Sequence, residues 1–330
     1  PADTPPALPP LPAGAPRNRL GLARWLTDPA NPLLARVTVN RFWQMMFGLG
    51  LVATADNFGR QGSPPTHPEL LDWLARDFVT NNWDVKRTLR QIALSATYRQ
   101  SSRAAPGLLA RDPQNLLLAR GPARRLTAEM LRDQALAASG LLVEIIGGPS
   151  VKPYQPPGLW EEIAMGKPKY EQGRGADLHR RSLYTFWKRT VPPPTMTLFD
   201  AAERNICTVQ RQSTSTPLQA LALLNDVQMV EAARLIGQRM LLEGGATSEA
   251  RLAWVFRLVT GRRADERERA ILRELYTEQH EFFAADPAAA EQFNAFGETA
   301  TDTALSAADR AASAVVAKAL LNFDEAVMRR

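Results

Sequence analysis

Apolar side chains recur along most of this chain at three- and four-residue spacing, the period that gathers them onto one face of an α-helix. In the clearest case Leu70, Leu71, Leu74 and Phe78 share a face, leaving Glu69, Asp72 and Arg76 on another. The same pattern predicts helices near residues 18–27, 32–47, 84–97, 127–139, 216–242, 248–260, 265–284 and 305–321. Capping residues followed by proline mark entrances at Asn31-Pro32, Asp112-Pro113, Thr216-Pro217 and Asp286-Pro287. There an Asn, Asp or Thr oxygen accepts a free first-turn N–H, and the proline that follows gives up no donor that would otherwise be paired. Thr216-Pro217-Leu218-Gln219 and Thr66-His67-Pro68-Glu69 also read as capping boxes.

Two stretches break the pattern. Residues 1–16 hold seven prolines among small residues and read as an extended, solvated linker. Between 147 and 195, Gly147-Gly148-Pro149, Pro156-Pro157-Gly158, Gly173-Arg174-Gly175 and Pro192-Pro193-Pro194 interrupt any helix, while Arg181 to Lys188 has the aromatic and β-branched content of a short strand in a two-stranded ribbon. The expected fold class is therefore mainly α, a multi-helix globular domain with an irregular, partly β insertion near residues 147–195. The expected divisions are a linker (1–16), an N-terminal helical part (17–146), the insertion (147–195) and a C-terminal helical part (196–330). No fixed-period repeat supports a solenoid.

Composition narrows the classes. A hydrophobic fraction of 45% and a charged fraction of 22% are ordinary for a globular protein, and no apolar run approaches the roughly 20 residues a bilayer demands. A single cysteine, Cys207, excludes an intramolecular disulfide and a thiolate metal cage. The Pro-Ala start reads as a processed protein or a piece of a longer one. The net charge of +6 divides into +10 over residues 1–190 and −4 over 191–330, which suits either a basic face for an acidic partner or attraction between the halves. Arginine supplies 34 of the 40 basic residues, many where helix ion pairs absorb them, so nucleic-acid binding is the weakest functional reading.

Candidate chemistry is sparse. His67, His179 and His280 are scattered without metal-ligand spacing, so no metal is expected. His67 sits at a helix entrance near Glu69 and Asp72, which suits either a general base or a residue fixing the chain's entry angle. Asp200, Arg204 and Arg211, with Gln210, Gln212 and Thr214, form the densest polar stretch. Asp200 can serve as an acid or base with Arg211 as an anion- or hydroxyl-binding fork, or the two can form an ion pair joining two helices. Glu129, Arg132 and Asp133 lie at i, i+3 and i+4 on one helix, where Arg132 can pair with Glu129 and Arg125 approach from the preceding turn in a structural network, or the two carboxylates can share a proton as an acid/base pair. Asn225, inside an apolar run, is expected to reach across the core, and Trp43 and Trp73 to pack in it. Trp160, Tyr184 and Trp187, with Tyr154, Tyr170, Lys167, Lys169 and Arg180 nearby, are expected to form a binding lip over a cleft involving Asp200 and Arg211. There is no nucleophile elbow, phosphate loop, dinucleotide fingerprint or Cys-x-x-Cys.

Several segments are distinctive in their wording. Asn40-Arg41-Phe42-Trp43, Phe47-Gly48-Leu49-Gly50-Leu51-Val52, Asp56-Asn57-Phe58-Gly59 and His67-Pro68-Glu69-Leu70-Leu71-Asp72-Trp73-Leu74 occur in that order. They are followed by Leu94-Ser95-Ala96-Thr97-Tyr98-Arg99, Gly147-Gly148-Pro149, Arg181-Ser182-Leu183-Tyr184 and Thr216-Pro217-Leu218-Gln219-Ala220-Leu221 with Asn225. Through them the chain resembles the unknown-function C-terminal domain of planctomycete cytochrome-c-associated proteins. The resemblance implies a periplasmic or extracellular module downstream of a second unknown-function domain and often of a haem domain. Haem attachment needs Cys-x-x-Cys-His, so no cofactor is expected in this chain and any haem belongs to a neighbouring domain. The leading expectation is a docking or interaction module of an envelope electron-transfer or polymer-processing protein. The alternative is an enzyme acting on carbohydrate or another hydroxylated ligand through His67 or Asp200.

Overall fold

The periodicity is realised as helices. The computed structural model describes residues 3–163 and 169–329, and its chain divides into two units, residues 1–124 and 125–329. The first unit carries α1 (Arg19–Thr27), α2 (Leu34–Phe47), α3 (Pro68–Thr80), α4 (Val85–Leu94) and the single turn α5 (Leu108–Arg111). Val39 and Trp43 of α2 meet Leu71, Leu74 and Phe78 of α3 and Ile92 of α4 in its core. Asn40, buried in that core, donates to the Val52 carbonyl at 3.1 Å and accepts the Val52 N–H at 2.8 Å. The asparagine thereby pins the chain that follows α2.

The second unit is larger. A short ribbon pairs β1 (Arg124–Arg125) with β2 (Met328–Arg329). Between them run α6 (Ala128–Ser139), α7 (Leu159–Ile163), α8 (Pro194–Leu198), α9 (Pro217–Asn225), α10 (Val227–Glu243), α11 (Ser248–Thr260), α12 (Glu266–Ala285), α13 (Pro287–Asn294), α14 (Ala307–Leu321) and α15 (Asp324–Val327). α10 and α14 form the central pair. Their seam is lined by small residues, with Ala311, Ala314 and Ala317 fully buried. A Cβ on Gly237 would lie 2.6 Å from the Ala314 nitrogen, so only glycine permits this approach. Around the pair, Leu223, Ile236, Met240, Val255, Phe256 and Leu320 complete the main core.

Several local expectations are corrected. The capping box at Thr216 is present and Asp286 caps α13, but Asp112 closes a turn instead of opening a helix, its carboxylate accepting the Leu116 and Leu117 N–H groups at 2.8 Å. The Thr66 box does not form. Its hydroxyl donates to the Leu51 carbonyl at 3.3 Å, and α3 opens at Pro68 without a side-chain cap. The span 216–242 is two helices, because Asp226 takes an extended conformation and its carboxylate caps α10. Asn225 is therefore a terminal residue, exposed and bonded to the Leu221 carbonyl one turn back, with no reach across the core. Trp43 is buried, whereas Trp73 is 52% exposed, since Leu71 and Leu74 take the inward positions of α3. In the insertion, Arg181 to Lys188 forms a 3₁₀ turn at Ser182–Tyr184 in place of a strand ladder. Its β character is confined to isolated bridges such as Val151 with Thr185.

Candidate functional site

The polar centre of the second unit is built around a residue on the buried face of α10. Glu231 sits between Val230 and Ala232 with no exposed side-chain surface. A carboxylate there requires partners to replace water. Oε1 accepts from the Tyr154 hydroxyl at 3.2 Å and the Thr299 N–H at 2.8 Å. Oε2 lies 3.0 Å from His179 Nε2 and 3.3 Å from Gln228 Nε2. Burial works to raise its pKa, but the His179 and Thr299 hydrogen bonds outweigh that effect and hold the carboxyl below its ordinary value. Gly297, at φ +85°, lets the loop before Thr299 close over this group. A Cβ there would stand 2.6 Å from the Glu231 carboxyl carbon.

Gln228 links this node to Arg132 on α6, accepting from its Nη2 at 3.0 Å. The same guanidinium donates to the Leu178 carbonyl at 2.6 Å and the Arg180 carbonyl at 2.8 Å, stitching α6 to the insertion. Burial pushes the Arg132 pKa down to about 10, which leaves it cationic at neutral pH. Burial likewise pushes the Tyr154 hydroxyl up to about 12, so it acts as a neutral donor. In front of this network lies an open pocket of about 560 Å³, walled by Leu131, Pro153, Pro194, Met196, Phe199 and Met229, with Arg132, Tyr154, Thr185, Asp226 and Gln228 also on its lining. A smaller hollow of about 310 Å³ lies in the first unit beside Trp43 and Leu118, away from any titratable cluster.

The residues singled out by sequence fall into separate places. His67 belongs to the first unit and pairs with the Thr66 hydroxyl at 3.0 Å, while its neighbour Asp72 is engaged by Arg36 at 2.6 Å. Asp200 and Arg211 do not pair. Asp200, at φ +60°, accepts from the Thr214 N–H at 2.7 Å and from its hydroxyl, which organises an exposed loop. Arg211 instead grips Glu129 of α6 with Nη1 at 2.8 and 3.0 Å from its two oxygens. Burial raises the Glu129 pKa, yet the Arg211 hydrogen bonds win and lower it overall. Arg132 therefore does not serve Glu129, contrary to the helix-face expectation. Trp187 and Arg204 do meet, the guanidinium lying 4.4 Å from the ring centroid while the indole N–H donates to the Glu203 carbonyl at 3.0 Å. Trp187 and Arg211 share no partner among these contacts.

Trp160 is buried against Tyr170 and Phe186, with Lys188 4.3 Å and Lys152 5.5 Å from its ring. Lys167 lies outside the described residues. Tyr184 is half-buried under the Arg180 guanidinium, 3.9 Å from its ring centroid, and accepts the Gly147 N–H at 2.9 Å. Arg180 is itself buried and donates to the carbonyls of Ile145, Gly147 and Pro149. This clamp fixes the loop that displays Ile145, 62% exposed, and Ile146, 90% exposed, next to a turn whose Leu183 is 71% exposed.

Sequence reasoning missed Glu231 and named His179 only as a scattered histidine. The available signal was a carboxylate inside the apolar run Met229-Val230-Glu231-Ala232-Ala233, but its histidine partner is 52 positions away. Among the described residues, no three His, Cys, Asp or Glu side chains form a group suited to a metal ion. No curated protein and no solved structure matches the chain. A family profile matches residues 18–276, a span that contains Asn40 and Glu231 but not the Thr299 loop, and the chain belongs to that family, PSD1, a protein of unknown function (DUF1553).

Proposed function

We propose that this chain is a non-catalytic docking module of a periplasmic or secreted multidomain protein, seated against neighbouring domains of its own polypeptide in an electron-transfer or polymer-processing assembly. The observation that carries the reading is the clamped loop at 145–149. Burying an arginine and spending its donors on three loop carbonyls leaves Ile145 and Ile146 standing in water. Exposed apolar groups on a rigid frame are the signature of a protein contact, because preorganisation lowers the ordering cost of association. The family-like segments Gly147-Gly148-Pro149 and Arg181-Ser182-Leu183-Tyr184 are the parts of this frame. Retaining or inverting acid/base hydrolysis needs two carboxylates facing one substrate site. The pocket lining has one, Asp226, held by the Thr195 hydroxyl at 2.9 Å and by its capping bond to Gln228.

The test is the affinity of the chain for the domains adjoining it in its full polypeptide, measured for wild type and for the Ile145→Ser/Ile146→Ser variant. The variant is expected to bind at least tenfold more weakly with an unchanged melting temperature. Equal affinity overturns the reading, as does carbohydrate turnover by the wild type that Asp226→Asn abolishes.

A further inference from the structure

We propose that the outer face of α4 and the chain that follows it form a contact surface for the anionic headgroups of a lipid bilayer. The proposal concerns the first unit and does not rest on the docking loop. Residues 1–124 carry 15 basic and 8 acidic groups, a net +7. The excess is concentrated, since residues 85–111 hold six basic groups and no acidic one. In α4, Thr88 and Ile92 face the core, which turns Lys86, Arg90 and Leu94, at i, i+4 and i+8, toward solvent. Arg99 and Arg103, also exposed, continue the sign beyond the helix. Gln100 donates to the Leu118 carbonyl at 3.0 Å and the Gly121 N–H to the Ser101 carbonyl at 2.9 Å, which holds exposed Leu117 beside this segment.

Other arginines of this unit are occupied. Arg36 is bound by Asp72, Arg87 by Asp77, and Arg120 by the carbonyls of Asp112 and Pro113. The side chains of Lys86, Arg90, Arg99 and Arg103 make no ion pair or hydrogen bond among the described residues, and the remaining residues, 1–2, 164–168 and 330, include no Asp or Glu. Unpaired cations on one segment attract an anionic surface, and the leucines decide its kind. Leu94 is 59% exposed and Leu117 68%. A soluble polyanion rewards only the charges and leaves these side chains in water. A bilayer surface takes both, its headgroup phosphates meeting the cations while the leucines enter the acyl boundary. At about a fivefold gain per cation, four cations and two leucines suffice for reversible, salt-sensitive attachment.

The experiment measures co-sedimentation of the full chain with vesicles of phosphatidylcholine alone and of equal parts phosphatidylcholine and phosphatidylglycerol, with heparin binding followed in parallel. Wild type is expected to bind the anionic vesicles, to lose at least tenfold in affinity between roughly 50 and 300 mM salt, and to bind the neutral vesicles at least tenfold more weakly. Lys86→Gln/Arg90→Gln should weaken anionic-vesicle binding on the order of twentyfold, whereas Lys86→Arg/Arg90→Lys should retain it. Leu94→Ser/Leu117→Ser should weaken it at least fivefold while heparin binding stays as in wild type. Ile145→Ser/Ile146→Ser should bind vesicles as wild type does. No binding to anionic vesicles, equal binding to neutral ones, wild-type vesicle binding by the leucine or the charge-removing variant, or loss of vesicle binding in the isoleucine variant each overturns the proposal. Heparin bound in the absence of vesicle binding would assign the face to a soluble polyanion instead. Because Ile145 and Ile146 are intact in the α4 variants, failure here leaves the docking reading standing.

Discussion

A carboxylate removed from water loses several kcal/mol of solvation unless neighbours replace it, and Glu231 is met on both oxygens by Tyr154, Thr299, His179 and Gln228. These bonds tie α10 to the insertion through His179 and Tyr154, and to the 297–302 loop through Thr299. The sign of the pH effect follows from the direction of the shift. The folded-state pKa lies below the ordinary 4.5, so the ionised form contributes stability above that value. That contribution fades as pH falls through the depressed value. Glu231→Gln keeps the shape but discards the charge, and it should cost on the order of 2–3 kcal/mol at pH 7. Urea unfolding of both proteins at pH 7 and pH 3.5 should show the gap narrowing in acid. A gap independent of pH would mean that the carboxylate's charge plays no part.

At the scale of elements, close approach decides more than helix propensity. Replacing glycine by alanine inside an exposed helix gains about 1 kcal/mol. At Gly237 the added methyl meets the Ala314 nitrogen at 2.6 Å and the Ser313 carbonyl carbon at 2.7 Å, backbone atoms that move only if α14 moves. Overpacking of this kind costs about 1–3 kcal/mol, so the net effect of Gly237→Ala should be destabilising despite the better helix former. A lower urea midpoint with an unchanged slope is the expected result, and a stabilised variant would show that the α10–α14 seam relaxes freely. Most helices were legible in the sequence because periodicity and capping are local properties, as at Thr216, Asp286 and the 248–260 segment. The break at Asp226 was not, since the apolar spacing runs through it and only the extended backbone of the cap divides α9 from α10. The candidate site was legible only in fragments. Trp187 and Arg204 lie close in sequence and meet, whereas His179 with Glu231 and Arg132 with Gln228 are pairings of the folded topology across 52 and 96 positions.

For the whole molecule the informative feature is that, among the described residues, each unit has a core of its own. Val39, Leu74 and Phe78 belong to a cluster drawn wholly from the first unit, and Ile236, Val255 and Phe256 to one drawn wholly from the second. The charge asymmetry read along the sequence, +10 before residue 191 and −4 after it, persists in weaker form across the structural boundary at residue 125: residues 1–124 carry 15 basic and 8 acidic groups, a net +7, and residues 125–329 carry 24 and 26, a net −2. Each core is of a size that folds cooperatively by itself, and segments with separate cores unfold as separate units. Calorimetry of the intact chain should therefore resolve two transitions. Leu74→Ala, a buried large-to-small change costing about 2–5 kcal/mol, should lower one of them and leave the other in place. Phe256→Ala, costing about 3–5 kcal/mol, should do the reverse. A single transition lowered by both substitutions would mean that the chain folds as one cooperative body in spite of its divided cores. The docking loop and the Glu231 node lie in the second unit, so Leu74→Ala should also leave partner affinity unchanged at temperatures where only the first unit has melted.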